Sequence, residues 1–157
     1  MNYQRKGITK VDIDLRKRIV QFMEKCRVCT IATVDPQGQP SASTVFFRNV
    51  ELDIYFNTGR DSQKVRDITA NQRVALTMQE SGIVPGADRD IKGIQYFGNA
   101  TVLPDNVTDG VPRGVISRHK AFNSAMPGKS VIVKVTPIKV HFIDYSRGFR
   151  HRDLLEL

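Results

Sequence analysis

The chain has 157 residues, of which 40% are hydrophobic and 25% charged, and its 24 Lys and Arg residues against 16 Asp and Glu residues give a formal net charge of +8. A chain of this length buries roughly 70% of the surface that its unfolded form exposes, so we expect one domain, residues 1–157, whose core needs no disulfide or structural metal. No stretch approaches the ~20 consecutive apolar residues of a membrane span, and the first residues lack the apolar segment of a secretory signal, so we expect a cytoplasmic protein without a membrane partner.

The first predicted element is an amphipathic helix, which fills most of an N-terminal segment over residues 1–26. Between Asp12 and Cys26, apolar side chains recur at intervals of three and four residues, and charged residues fill the positions between them. This pattern is typical of a helix with one buried face. A strand over Val28–Val34 and a second over Pro40–Arg48 follow, joined by the turn Asp35–Gly38, so the sequence predicts a hairpin.

Cys26 and Cys29 form a CxxC motif where the predicted helix ends. A redox-active pair needs its first cysteine at a helix N-terminus, where the helix dipole lowers the pKa of the thiol, and these residues lie at the opposite end. A zinc site needs two further ligands, and the three histidines, His119, His141 and His151, have no paired spacing. We therefore predict two structural thiols and no metal site, as in a reducing compartment.

The middle of the chain alternates strands with polar turns. A third strand ends near Asn57 and leads into the polar segment Thr58–Lys64, behind which a short helix is predicted with Ser62 as its candidate N-cap. A fourth strand over Arg73–Met78 follows.

The next region contains several glycine and proline residues, which interrupt regular structure. The predicted loop Ser81–Arg89 is followed by a long strand over Ile91–Leu103, in which Gly98 indicates a bulge or a bend. A helix is predicted over Thr108–Ser124, although proline and glycine lie near its start.

Two further strands are predicted over Ser130–Val135 and Lys139–Asp144, split by Thr136–Pro137, and a polar, basic tail is predicted over residues 145–157. Short strands in hairpin order with a few helices favour a mainly β fold, a closed or nearly closed antiparallel barrel with helical appendages.

Several segments resemble one known family in their order and spacing. They are the strand segment 38–48, the strand Asp53–Thr58, the triplet Ser62-Gln63-Lys64 and the run Asn71–Leu76. They resemble the pyridoxamine 5'-phosphate oxidase family, and the likeness spans most of Lys25 to Phe142. The resemblance implies a six-stranded antiparallel split barrel of the FMN-binding type, which forms a homodimer with FMN in clefts at the interface.

The resemblance also implies two groups of FMN contacts. The residues that lie along the flavin are Ser43, Thr44, Val45, Phe46, Phe47 and Arg48. The residues that approach its ribityl phosphate are Asn57, Thr58, Gln63 and Lys64.

The chemistry of the second group agrees with a phosphate site. A helix start presents backbone N–H groups, Thr58 and Ser62 supply hydroxyls, and Lys64 supplies a positive charge. The alternatives are a helix cap for Ser62, solvated charges for Arg48 and Lys64, and ordinary strand packing for Ser43 and Thr44.

The sequence departs from the family pattern at two phosphate positions. Pyridoxamine 5'-phosphate oxidases have an arginine where Ser43 stands and a second basic residue where Gln63 stands. Their C-terminal Arg-x-His pair also has a different spacing from the residues here, so the resemblance does not imply oxidation of vitamin B6.

The leading functional hypothesis is an FMN-dependent oxidoreductase that acts on a small molecule, with His151 and Tyr145 as candidate acid–base residues. A second hypothesis is a split-barrel binding protein for haem, with a histidine as axial ligand, or for a deazaflavin. A basic nucleic-acid-binding module is a third hypothesis, but Lys and Arg are scattered without a dense tract or a recognition motif, so we expect no nucleic-acid partner.

Overall fold

The computed structural model describes residues 10–80 and 91–157. Residues 1–9 and the predicted loop Ser81–Arg89 therefore lie outside the described residues. The described ranges contain three α-helices and eight strands: α1 Lys10–Lys25, β1 Val28–Val34, β2 Pro40–Phe46, β3 Arg48–Val50, β4 Asp53–Gly59, α2 Gln63–Ala70, β5 Arg73–Gln79, β6 Lys92–Val102, α3 Arg113–Ala125, β7 Ser130–Asp144 and β8 Arg152–Glu156.

All eight strands belong to one antiparallel sheet. Its order is β2-β1-β5-β6-β7-β4-β3, and β8 pairs with β7. The sheet curls so that β2 also contacts β4, although the two strands are far apart in the sheet order. The prediction of a mainly β split barrel is confirmed.

Helix α1 packs on the main hydrophobic core. Its buried residues, Leu15, Ile19, Phe22 and Met23, follow the predicted spacing and join the inward side chains of the sheet. Each such side chain contributes about 1.5–3 kcal/mol on burial, so this one face accounts for the docking of the helix. Within the described ranges, no helix combines the length and the apolar character needed to cross a membrane.

Helices α2 and α3 pack on different hydrophobic clusters. Ile68 of α2 belongs to the main core. Helix α3 rests instead on a small separate cluster, which consists of Tyr55, Val111, Val115 and Ile132. Val115 is the buried residue of α3 itself.

The predicted strand Pro40–Arg48 is wrong at its end. Strand β2 stops at Phe46, and Phe47 turns into the core with its N–H donated to the carbonyl of Arg27 at 3.2 Å. Arg48 starts β3, which pairs with β4 instead of β1. The chain changes its pairing partner at Phe47, and local residue preferences do not encode this change.

The predicted break at Thr136–Pro137 is also wrong, because β7 is continuous. Phe97 pairs with Lys139 and Gly98 pairs with Pro137, so Ile138 is the extra residue of a bulge. A proline at a bulge removes no ladder hydrogen bond, which explains why the strand passes through it. The predicted bulge at Gly98 is confirmed.

The polar tail forms more structure than predicted. Tyr145–Arg147 form a 3₁₀ turn, and β8 returns along β7. Arg18 of α1 lies 3.6 Å from Asp144 and 3.3 Å from Asp153, so ion pairs tie the tail to the barrel. The residue pattern predicts six or seven strands and the resemblance implies six; β3 and β8 are additional, and two predicted strands merge into β7, which gives eight.

Candidate functional site

A cavity of about 380 Å³ lies between the ends of β2 and β4, the start of α2 and one face of α3. We call it the β2–β4–α3 cavity. Its lining residues are Thr44, Val45, Phe46, Asn57, Thr58, Lys64, Arg118, Ala121 and Phe122. Its volume falls within the range of small-molecule sites.

The cavity gathers six of the predicted cofactor residues, which are Thr44, Val45, Phe46, Asn57, Thr58 and Lys64. Phe47 and Arg48 line a narrow adjoining cleft, which shares Phe46, Asn57 and Arg118 with the cavity. Ser43, Ser62 and Gln63 line neither space.

Lys64 and Arg118 give the cavity its positive charge. In the part of the chain that the structure describes, no carboxylate pairs with either side chain. The guanidinium carbon of Arg118 lies 4.2 Å from the ring centroid of Phe46, within reach of a cation–π interaction. Two unneutralised cations in one cavity favour an anionic ligand.

Arg48 lines the cleft and adds a third positive charge there. Its Nη1 atom donates a hydrogen bond to the carbonyl of Phe47 at 2.7 Å. Partial burial lowers the pKa of Arg48, and the nearby charges of Arg27 and Arg118 lower it further. This mutual repulsion would be relieved by an anion.

Ser62 occupies the predicted N-cap position of α2, but its hydroxyl does not cap the helix. Its Oγ atom is buried and has no hydrogen-bond partner among the described residues. A buried hydroxyl without a partner costs free energy, so an acceptor from outside these residues would stabilise it.

Gln63 is engaged with its own helix. Its Nε2 atom donates to Asp67 at 2.6 Å, and its Oε1 atom accepts from Arg66 at 2.8 Å. Asp67 is fully buried and also accepts from the hydroxyl of Thr33 at 2.7 Å. These contacts account for the absence of Gln63 from the cavity lining.

Sequence reasoning missed the contribution of α3. Arg118, Ala121 and Phe122 line the cavity, and their spacing of three and four residues places them on one face of the helix. The periodicity could have indicated this face. Only the tertiary fold shows that it meets β2 and β4.

The candidate acid–base residues lie elsewhere. Tyr145 and His151 flank the connection from β7 to β8, and neither lines the β2–β4–α3 cavity of its own chain. His151 Nε2 is 3.1 Å from Asp153 Oδ1, so the imidazole has a partner.

The other two histidines also lie outside the cavity lining. The Nδ1 and Nε2 atoms of His119 contact Ser130 at 3.0 Å and Asn123 at 3.3 Å. The Nδ1 atom of His141 is buried and has no hydrogen-bond partner among residues 10–80 and 91–157.

A second cavity, of about 550 Å³, lies beside the two cysteines and includes Thr44 in its wall. Burial raises the pKa of Cys29 to about 12, with a further contribution from Cys26, and burial also raises the pKa of Cys26. Both thiols are therefore protonated at neutral pH, and the cavity wall carries no thiolate nucleophile. Among the described residues, no group of three or more metal-ligating side chains could hold an ion.

The family model described as pyridoxamine 5'-phosphate oxidase matches residues 15–144 of this chain. A pyridoxine/pyridoxamine 5'-phosphate oxidase of Ralstonia nicotianae is 36% identical over 93 residues, which cover 52% of this chain and 44% of the relative. The chain thus spans less than half the length of the curated relatives that it matches.

Solved structures share the fold at low sequence identity. An FAD-binding protein of Mesorhizobium loti superposes with a TM-score of 0.62 at 19% identity, over 79% of this chain and 88% of that one. A haem-binding protein of Mycobacterium smegmatis superposes with a TM-score of 0.68 at 13% identity, over 96% of this chain and 60% of that one.

Proposed function

Because this chain belongs to the pyridoxamine 5'-phosphate oxidase family, we propose that it binds FMN in the β2–β4–α3 cavity and acts as an oxidoreductase on a small molecule. The observation that carries the proposal is the convergence of β2, β4, α2 and α3 on one cavity with two unpaired cations. The sequence resemblance points to the same strand and helix start.

The residues at the start of α2 fit the phosphate end of FMN. Lys64 is partly buried in the cavity wall and carries an unneutralised charge, and Thr58 offers a hydroxyl in the same wall. The Ser62 hydroxyl stands two residues before Lys64 at the helix start but lines neither the cavity nor the cleft, so the proposal gives it no contact with the phosphate. The unpaired donors and charges therefore suit a phosphate monoester.

When bound, the flavin supplies the hydride or electron transfer. The side chains of this protein would bind and orient the cofactor. Lys64 would hold its phosphate end, and Asn57 and Thr58 would offer hydrogen bonds along the wall. Phe46 and Phe122 supply apolar surface to the wall of the cavity. The proposal assigns no acid–base role to Tyr145 or His151, because neither lines this cavity.

The outer face of β2, β1 and β5 supports a homodimer. Small residues align across these strands, since Ala32 pairs with both Ala42 and Ala75, and the next row consists of threonines. Phe46, at 55% exposure, belongs to the same face of β2 and also lines the cavity. A second copy packed on this face would cover Phe46 and the open side of the cavity.

We expect light scattering to give the mass of a dimer for the purified protein. Ala42→Arg places a charged, bulky side chain on the proposed interface and should shift the protein to monomers that retain less flavin. The matched control is Ala70→Arg, because Ala70 is exposed at the end of α2 and outside this face. A wild-type monomer with stoichiometric flavin would contradict the proposed dimer.

The two thiols are expected to be dispensable. Replacement of Cys26 and Cys29 together by alanine should leave flavin content and turnover near wild type, because both pKa values are raised and neither thiol ionises at neutral pH. Flavin absorbance per protein chain checks the cofactor, and circular dichroism checks the fold. Loss of redox activity in a folded, flavin-loaded variant would identify the motif as catalytic.

One visible absorption spectrum of the purified protein tests the proposal directly. Oxidised FMN has absorption bands that differ clearly from those of haem and of deazaflavins. Haem is the second candidate, since a haem-binding protein shares the fold and His141 has an unpartnered buried nitrogen. A haem spectrum, or no binding of added FMN, would contradict the FMN proposal.

A further inference from the structure

We propose that Arg118 of α3 is the second phosphate-binding cation of the site and that, with Lys64 of α2, it gives the protein its preference for a phosphorylated flavin. This inference rests on the proposed function. It adds a residue, and an element, that no sequence resemblance assigns to the cofactor.

The charge of the ligand favours more than one cation. A phosphate monoester carries about −1.5 to −2 charges at neutral pH, and a single lysine neutralises only part of this. The other basic side chain that lines the same cavity is Arg118. The two cations come from different helices, so the phosphate would lie between them.

Arg118 is free to bind an anion. Its cation–π contact with Phe46 uses none of its N–H donors, and within residues 12–80 and 91–157 it has neither a hydrogen bond nor a carboxylate partner. A guanidinium presents donors in a rigid, planar arrangement that matches two phosphate oxygens at once. The aromatic contact holds the side chain in place before the ligand arrives.

The other candidate residues near Lys64 either form hydrogen bonds within the protein or do not line the cavity. Arg48 lines the narrow cleft alone, whereas Arg118 lines both the cleft and the larger cavity, and Arg48 donates a hydrogen bond to the carbonyl of Phe47. Gln63 is neutral and bonded to Asp67 and Arg66. Among the described residues, Arg118 is therefore the basic side chain that lines the cavity together with Lys64.

The experiment compares FMN with riboflavin, which lacks the phosphate, by fluorescence titration of the apoprotein. For Arg118→Gln we expect FMN to bind about tenfold or more weakly and riboflavin to change by less than about twofold, so the ratio of the two affinities falls. Arg118→Lys keeps the charge and should restore part of the ratio. Arg113→Ala is the matched control, because Arg113 is exposed on the same helix and does not line the cavity.

The outcomes separate this inference from the proposed function. If wild-type protein binds no FMN, the proposed function fails and the inference fails with it. If wild type prefers FMN and Arg118→Gln keeps that preference, the function stands and the role of Arg118 is overturned. An equal loss of FMN and riboflavin in Arg118→Gln, at an unchanged circular dichroism spectrum, would place Arg118 against the flavin ring and also overturn the inference.

Discussion

Lys64→Ala is expected to weaken FMN binding by about one to two powers of ten, because charge-assisted hydrogen bonds contribute roughly 1.5–3 kcal/mol each. Lys64 is partly buried in the wall of the β2–β4–α3 cavity and has no carboxylate partner among the described residues. The loss should be concentrated in FMN, and riboflavin binding should hardly change. Fluorescence titration of the apoprotein measures both ligands.

Lys120→Ala provides the matched control for this charge removal. Lys120 is exposed on α3 and does not line the cavity, so its replacement should leave both affinities near wild type. Arg118→Gln combined with Lys64→Ala should lose less than the sum of the single changes, because both side chains are proposed to contact one phosphate and neighbouring residues couple. Equal losses of FMN and riboflavin in Lys64→Ala would mean that Lys64 acts on the ring or the fold.

Gly98→Ala is expected to destabilise the barrel strongly. A Cβ atom at this position would lie 2.5 Å from the backbone carbonyl oxygen of Thr136 and 2.9 Å from the ring of Tyr96. Tyr96 is fully buried and fixed by hydrogen bonds from its hydroxyl to the carbonyls of Leu52 and Val135. Neither neighbour can move aside freely, so we expect a loss of about 2–3 kcal/mol or more.

For a domain of this size, such a loss lowers the midpoint of thermal unfolding by roughly 4–12 °C. Circular dichroism melting checks the expected value. Gly59→Ala is the control, because no atom lies within 4 Å of its added Cβ. A Gly98→Ala variant as stable as Gly59→Ala would show that β6 and β7 can separate at the bulge without cost.

Local patterns predicted most of the elements of this fold. The helical spacing of Leu15, Ile19 and Phe22 gave α1, and the glycine at position 98 indicated the bulge. The errors concern residues whose structure depends on distant partners. Arg48 leaves β2 because its strand pairs with β4, and the tail forms β8 because it pairs with β7 and buries Leu155 in the core.

In the candidate site, too, some residues could be predicted from local sequence, whereas others depend on distant contacts. The residues from β2, β4 and the start of α2 could be predicted because they lie in segments with a recognisable order. Arg118 could not be predicted as a cavity residue, because its place depends on how α3 crosses β4 and β7. The resemblance assigns Gln63 to the phosphate site by its position in the sequence, whereas its side chain donates a hydrogen bond to the buried Asp67.

The separate small cluster beneath α3 has a consequence for cofactor exchange. Helix α2 is anchored in the main core through Ile68, whereas α3 has Val115 as its buried anchor. Segments with few buried contacts open locally at a fraction of the global unfolding free energy. Amide hydrogens of α3 should therefore exchange with solvent faster than those of the barrel. A ligand that bridges Lys64 and Arg118 would slow this exchange, and its release would require loss of its contact with α3 but not unfolding of the barrel.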